Sequence, residues 1–158
     1  MIRIGLVSDT HDRILPALLE ALSGVDEILH AGDVCAAAAL AKLEAIAPVT
    51  AVSGNMDVGS LIERHPEELR LERDGITIGM VHGHLVGRGG VSDLAAHFRG
   101  WGPDLVVFGH SHETVDEVRG ETRFFNPGTA GGVGGPPTAG LLQIANGDFR
   151  VEHVRLER

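Results

Sequence analysis

Short apolar runs alternate with amphipathic segments along the first two thirds of the chain. The runs are rich in Val, Ile and Leu and end after only a few residues, which is typical of strands buried on both faces. Helical spacing of apolar residues between the runs indicates helices. The predicted strands are Ile2–Val7, Asp26–Leu29, Val49–Val52, Ile76–Val81 and Leu105–Phe108, and the predicted helices are Ile14–Leu22, Cys35–Ile46 and Val91–Arg99. This alternation favours parallel strands joined by crossover helices.

The pattern changes after residue 110. Short alternating segments are joined there by turn residues such as Asn146-Gly147-Asp148, which is a hairpin signal. The segments predict strands at Glu113–Arg119, Thr122–Phe125, Thr138–Ala145 and Phe149–Leu156, paired antiparallel. Parallel units followed by a meander predict an α/β fold of two mixed β-sheets packed as a sandwich and flanked by helices.

Composition narrows the class of protein. The 158 residues are most simply one domain, 1–158, and no apolar run reaches the length of a membrane span. We expect a cytoplasmic protein, because the N-terminal segment lacks signal-peptide features and the single Cys35 rules out an internal disulfide. The net charge of -9 argues against a broad nucleic-acid or anionic-membrane surface. The net charge does not exclude a small phosphorylated substrate or assembly into a homo-oligomer.

Polar residues follow each predicted strand of the first two thirds, at the point where the strand ends. Carboxyl ends of strands are where ligand sites form in open α/β sheets. Glycines accompany these residues, so the backbone can approach a ligand closely. The polar residues are Asp9 and His11, then Asp33, then Asn55, then His82 and His84, and finally His110 and His112.

A metal centre explains this set better than separate structural roles do. One such residue alone is more often a helix cap or a hydrogen-bonded core group, but the whole set at one rim would leave many buried polar groups unpaired. Carboxylate, amide and imidazole ligands without thiolate suit Mn²⁺, Fe²⁺, Ni²⁺ or Zn²⁺. Even without His84 the set holds seven possible ligands, which are too many for one ion with open positions, so we expect two divalent ions sharing one carboxylate.

The motifs SDTH, AGD, GNMD, VHGH and GHSH, followed by NPGT, resemble those of the calcineurin-like metallophosphoesterases. The order and spacing are most similar to the small bacterial and archaeal phosphodiesterase branch, which also includes the retromer subunit Vps29. The resemblance implies a four-layer αββα arrangement. It also implies one ion, preferably Mn²⁺, held by Asp9, His11, Asp33 and His112, and a second held by Asp33, Asn55, His82 and His110. Asp33 is then the bridge.

The resemblance implies hydrolysis of a phosphate ester by a hydroxide that bridges the two ions. Asn55 is expected to help position the substrate through its amide. Many relatives have GNHD where this chain has GNMD, and the thioether of Met56 cannot donate a proton to a leaving group. We therefore expect activated diesters to be better substrates than alkyl monoesters. His84 could replace the missing acid, or it could be a hydrogen-bonded loop residue; Asp57 is expected to orient a neighbour.

Two further functions stay open at this point. A protein-interaction scaffold resembling Vps29 could keep the fold without turnover. A purely structural metal site is disfavoured, because closed structural sites usually use thiolates. The enzyme is favoured since every implied ligand position carries a suitable residue, but the sequence does not identify the physiological substrate.

Overall fold

Two five-stranded sheets form the centre of the molecule, and the computed structural model describes residues 1–158. The strands are β1 (Ile2–Val7), β2 (Glu27–His30), β3 (Val49–Ala51), β4 (Glu68–Arg73), β5 (Ile76–Val81), β6 (Leu105–Val107), β7 (Thr114–Arg119), β8 (Thr122–Pro127), β9 (Thr138–Ala145) and β10 (Asp148–Arg155). The helices are α1 (Pro16–Ala21), α2 (Ala37–Glu44), α3 (Ser60–Arg64) and α4 (Val91–Phe98).

Both sheets are mixed, as predicted. The first has the order β10-β9-β1-β2-β3, in which β1, β2 and β3 are parallel and the β9–β10 hairpin is antiparallel. The second has the order β4-β5-β6-β8-β7, in which β5, β6 and β8 are parallel and the two outer strands are antiparallel. The four parallel contacts (β1–β2, β2–β3, β5–β6 and β6–β8) give these strands shared carboxyl ends.

The prediction of a wholly antiparallel second half was wrong at β8. The hairpin between β7 and β8 is antiparallel as expected, but β8 also pairs in parallel with β6, with Leu105 opposite Arg123. Turn residues determine how consecutive strands pair and carry no information on the second neighbour of a strand. The strand β4 and the short helix α3 were also not predicted.

The two sheets and the helices on their outer faces form four layers, as the family resemblance implied. The space between the sheets is filled from both sides by residues such as Leu6 and Leu29 from the first sheet and Met80 and Phe125 from the second. Leu18 of α1 and Leu43 of α2 join a cluster on the outer face of the first sheet, and Leu94 and Phe98 of α4 cover the second. Burial on both faces explains why the strands read as nearly continuous apolar runs.

Candidate metal centre

The carboxyl ends of β1, β2, β3, β5 and β6 meet along one rim where the two sheets adjoin. Every polar residue singled out at a strand end lies in the loops of this rim. Side chains from opposite sheets contact each other there, since Asp9 and Asp33 from the first sheet face His82 from the second. The convergence predicted from the sequence is therefore present.

One group of potential ligand atoms is formed by Asp9, His11 and His112. Their ligand atoms all lie within 4.8 Å of one another. The His112 Nε2 is 3.3 Å from the Asp9 Oδ1 and 3.4 Å from the His11 Nε2. One carboxylate and two imidazoles thus point at a common volume that suits a divalent cation.

A second group is formed by Asp9, Asp33 and His82, all of them buried. The His82 Nε2 is 3.3 Å from the Asp33 Oδ2 and 3.8 Å from the Asp9 Oδ1. The Asn55 Oδ1 lies 3.0 Å from the same His82 nitrogen and 3.1 Å from the His110 Nδ1, which extends the group toward solvent. Asp9 is the carboxylate common to both groups, and the bridging role of Asp33 stays a prediction.

Asp9 shows most directly why this site suits a cation. Its Oδ2 accepts hydrogen bonds from the Ser8 hydroxyl at 2.7 Å and from the His110 backbone N–H at 3.1 Å. Its Oδ1 is buried and has no hydrogen-bond partner, although it lies between the two histidine nitrogens just described. A buried oxygen without a partner costs about 1–3 kcal/mol, and a bound cation removes that cost. The residues present therefore fit a metal.

The backbone at the site is strained in the way expected of a functional site. Positive φ angles occur at Asp9 (53°), His11 (50°), Asp33 (59°), His110 (74°) and His112 (64°). Each non-glycine residue in this left-handed region costs on the order of 1 kcal/mol. All five residues lie at the rim, where this backbone conformation turns their side chains inward from the ends of the strands.

A family model described as the calcineurin-like phosphoesterase superfamily domain matches residues 2–147 of the chain. The chain belongs to this superfamily. It is 36% identical over 131 residues to a probable metallophosphoesterase of Methanothermobacter thermautotrophicus, covering 80% of this chain and 76% of the relative. It is 28% identical over 166 residues to phosphodiesterase MJ0936 of Methanocaldococcus jannaschii, covering 94% and 96%. Its fold is similar to that of Vps29 from Chaetomium thermophilum, with a TM-score of 0.84 and 22% identity over 98% and 97% of the two chains.

Asp57 holds the Asp33 loop of this calcineurin-like domain in place. Its buried carboxylate accepts backbone N–H bonds from Asp33 at 3.0 Å, Gly54 at 2.8 Å and Cys35 at 2.8 Å. The Met56 backbone N–H in turn donates to the Asp33 Oδ1 at 2.8 Å, which leaves the Oδ2 facing His82. These contacts agree with the prediction that Asp57 orients a neighbour.

The tautomer of His82 is determined by its surroundings. Its Nδ1–H donates to the Ala31 carbonyl at 2.8 Å, so the Nε2 presents a lone pair to the carboxylates and to Asn55. Burial lowers the pKa of His82, but Asp33 and Asp9 outweigh burial and raise the pKa above its usual range. The Nε2 therefore sits where a positive charge, a proton or a metal ion, is favoured.

His30 is a positioning residue that connects two loops of the site. Its Nδ1 accepts the Gly32 N–H at 3.1 Å, so its Nε2–H faces the Thr10 hydroxyl at 3.0 Å. The ring is fully buried, and burial lowers its pKa to about 3, which keeps it neutral. His30 thus joins the loop after β1 to the loop after β2. In the sequence its only signal is its position just before the AGD motif, which leaves open whether the ring supports the site or faces away from it.

His84 and Cys35 lie beside the two groups without belonging to them. The His84 ring centroid is 5.4 Å from that of His82 and 6.2 Å from that of His110, and its buried Nδ1 has no hydrogen-bond partner. Burial, together with His82 and His110, lowers the pKa of His84. The Cys35 Sγ lies 3.6 Å from the His11 Nδ1, and burial and nearby carboxylates raise the pKa of the thiol to about 12.

The glycine-rich connection between β8 and β9 runs beneath the first group. The Thr129 hydroxyl donates to the Asp9 carbonyl at 3.1 Å, and the Gly131 N–H donates to the same carbonyl at 3.3 Å. A Cβ at Gly131 would collide with the Thr10 carbonyl. The connection therefore supports the Asp9 backbone at close range.

No helix of the structure has the length and apolar character needed to cross a membrane.

Proposed function

We propose that the protein is a dinuclear metal-dependent phosphoesterase that prefers phosphodiesters, and that it acts on a small phosphorylated substrate in the cytoplasm. The observation that carries the proposal is the unpartnered, buried Oδ1 of Asp9 at the junction of the two ligand groups. We infer two divalent ions, Mn²⁺ first and Ni²⁺, Fe²⁺ or Zn²⁺ as alternatives. The residues that would hold them are Asp9, His11, Asp33, Asn55, His82, His110 and His112.

When bound, the ions would neutralise phosphate oxygens and lower the pKa of a bound water, so that hydroxide is available near neutral pH. The protein holds the ligand side chains and the substrate in position. Asp9, Asp33 and His82 are fixed by buried hydrogen bonds, while the exposed Asn55 has an amide nitrogen without a partner in the fold. That nitrogen can donate to a phosphate oxygen and orient the ester.

Leaving-group protonation is where this chain departs from many relatives. The Met56 side chain is 56% exposed at the rim and offers no proton, so good leaving groups are favoured. General acid catalysis typically contributes 10²–10⁴-fold, and its loss affects alkyl monoesters most. His84 is the alternative acid, because its ring adjoins those of His82 and His110.

Turnover of p-nitrophenyl esters tests the proposal. The purified protein is stripped of metal, and each divalent ion is added back before hydrolysis of bis(p-nitrophenyl) phosphate and p-nitrophenyl phosphate is measured. We expect metal-dependent activity that is greater on the diester. Asp9→Asn, which keeps the size of the side chain, should abolish it. Activity on neither ester with any ion would favour the alternative, a weak or inactive interaction scaffold of the Vps29 kind.

A further inference from the structure

A cavity of about 690 Å³ opens beside His112, and none of the other proposed ligands lines it. Its volume lies within the range of ligand pockets, about 300–1,000 Å³, but such pockets are usually lined by apolar side chains. No hydrophobic residue lines this one. Its polar side chains come from the loop after β6, from β7 and from the β9–β10 hairpin: His112, Glu113, Thr114, Thr138, His153 and Arg155.

The His112 ring forms the wall between the cavity and the metal centre. Its Nε2 lies 3.3 Å from the Asp9 Oδ1, while its Nδ1 is turned toward the glycine-rich connection. A Cβ at Gly134, which lines the cavity, would stand 3.0 Å from that Nδ1. The cavity therefore adjoins the first ligand group at His112.

The lining offers both hydrogen-bond donors and acceptors. Arg155 and Glu113 are exposed and make no ion pair with each other or with any other side chain, so a guanidinium and a carboxylate are both free to bind a ligand. His153 is fixed in place, because its Nε2–H donates to the Asn126 carbonyl at 2.8 Å and its ring stacks on Phe125 at 4.2 Å. Its Nδ1 has no partner in the fold.

We propose that this cavity binds the hydroxyl-bearing, sugar-like alcohol portion of a phosphodiester, with Arg155 and Glu113 as its specificity-determining residues. The inference rests on the proposed phosphodiesterase function. Hydroxyl groups donate and accept, and so they match a lining that mixes guanidinium, carboxylate and hydroxyl groups. An acyl chain would find no hydrophobic side chain there, and a nucleobase would find no Phe, Tyr or Trp ring to stack on.

Two matched diesters test the proposal: glucos-6-yl p-nitrophenyl phosphate and cyclohexylmethyl p-nitrophenyl phosphate. In both, water adds at phosphorus and the bond to the aryl oxygen breaks, which releases p-nitrophenolate and the phosphate monoester of the alcohol. The two substituents have similar rings and differ in their hydroxyls. We expect kcat/KM to favour the sugar diester by about 10-fold, less than for a fully enclosed hydroxyl site because this cavity is open to solvent.

Arg155→Met and Glu113→Leu should each reduce that preference, mainly through a higher KM for the sugar diester. Arg150→Met is the matched control, since Arg150 is also an exposed arginine of β10 but lies at the opposite end of the strand from Arg155. It should leave the preference unchanged. A variant that slows both diesters equally would show a general role for Arg155 and overturn the proposal.

Bis(p-nitrophenyl) phosphate separates the two ways in which the experiment can fail. If the wild-type protein hydrolyses it but does not distinguish the sugar diester from the cyclohexylmethyl diester, the metal centre is catalytic and only the assignment of the cavity is wrong. If the wild-type protein hydrolyses none of the esters, the proposed function itself has failed.

Discussion

The two halves of the metal centre differ in depth. Asp9, Asp33 and His82 are at most 2% exposed, and each is braced by hydrogen bonds to neighbouring loops. Asn55 and His110 are exposed. Positive φ angles occur in both halves, at Asp9 and Asp33 and at His110, but the buried oxygen without a hydrogen-bond partner belongs to the buried half, at Asp9. The open half faces solvent, and the exposed Met56 lies next to Asn55 in it.

The largest effect is expected in the buried half. Asp9→Asn should reduce metal-dependent turnover by roughly 10³-fold, because a ligand common to both groups loses its charge. The same variant should leave the metal-free protein as stable as the wild type or more stable by about 1 kcal/mol, since the orphaned oxygen is no longer a carboxylate. Urea unfolding without metal measures the second effect. A marked loss of stability would contradict the view that Asp9 is arranged for metal at the expense of the fold.

The support beneath the buried half gives the next largest effect. Asp57→Asn replaces one of the two carboxylate oxygens that receive the Asp33, Gly54 and Cys35 N–H groups. We expect metal affinity to fall by about 10–100-fold, the range for groups that orient ligands. Stability should fall by about 2 kcal/mol. Calorimetric metal titration and chemical denaturation measure these quantities. Wild-type affinity in a destabilised variant would show that Asp57 serves the fold alone.

The open half is tested by restoring an acid. Met56→His should raise turnover of alkyl phosphomonoesters about tenfold, below the full range of general acid catalysis because the new ring is not held in position. Metal affinity should not change, since Met56 contributes only its backbone N–H to the Asp33 Oδ1. Val58→His is the control, because Val58 is likewise exposed two residues further on. Equal rates for Met56→His and the wild type would remove the explanation based on the missing acid.

The smallest effect is expected far from the centre, at the bidentate pair between Glu27 and Arg73, whose two hydrogen bonds of 2.8 and 2.9 Å join the two sheets. Burial raises the pKa of Glu27, but bonds from Arg73 and Thr50 outweigh it and lower the pKa below 4.5. The pair therefore stabilises the fold fully above that pH and loses its effect as the pH falls through the folded-state pKa. Glu27→Gln should cost about 1 kcal/mol at pH 7 and less at pH 4 in urea unfolding. A cost independent of pH would exclude the ion pair as its source, and a change in metal affinity would contradict its separation from the site.

Much of the fold followed from local patterns. The bounds of β1, β5 and β9 match the predicted ones, because their apolar runs end sharply at polar or turn residues. The strand β4 was missed since only Leu69 and Leu71 break its run of charged residues. The helix α3 was missed because its five residues are too few to show a helical period of apolar positions. It begins after Gly59, whose φ is 57°. The parallel pairing of β8 depends on packing between distant segments, which no local pattern records.

For the site, the residue types at the strand ends predicted which side chains meet but not how they are held. The tautomer of His82 and the link between His30 and Thr10 depend on contacts between segments that are distant in sequence, and no local pattern records the positive φ angles. The cavity beside His112 was also not foreseen, because it joins β7 to a hairpin of the other sheet. The types of the site residues are thus readable from the sequence, whereas their orientation is a property of the assembled rim.

Anomalous diffraction from crystals grown with saturating Mn²⁺ tests the central claim most directly. The account predicts two manganese peaks in each chain, one contacted by His11 and His112 and the other by His82 and Asn55, with a carboxylate between them. One peak, or none at these side chains, would contradict the dinuclear centre.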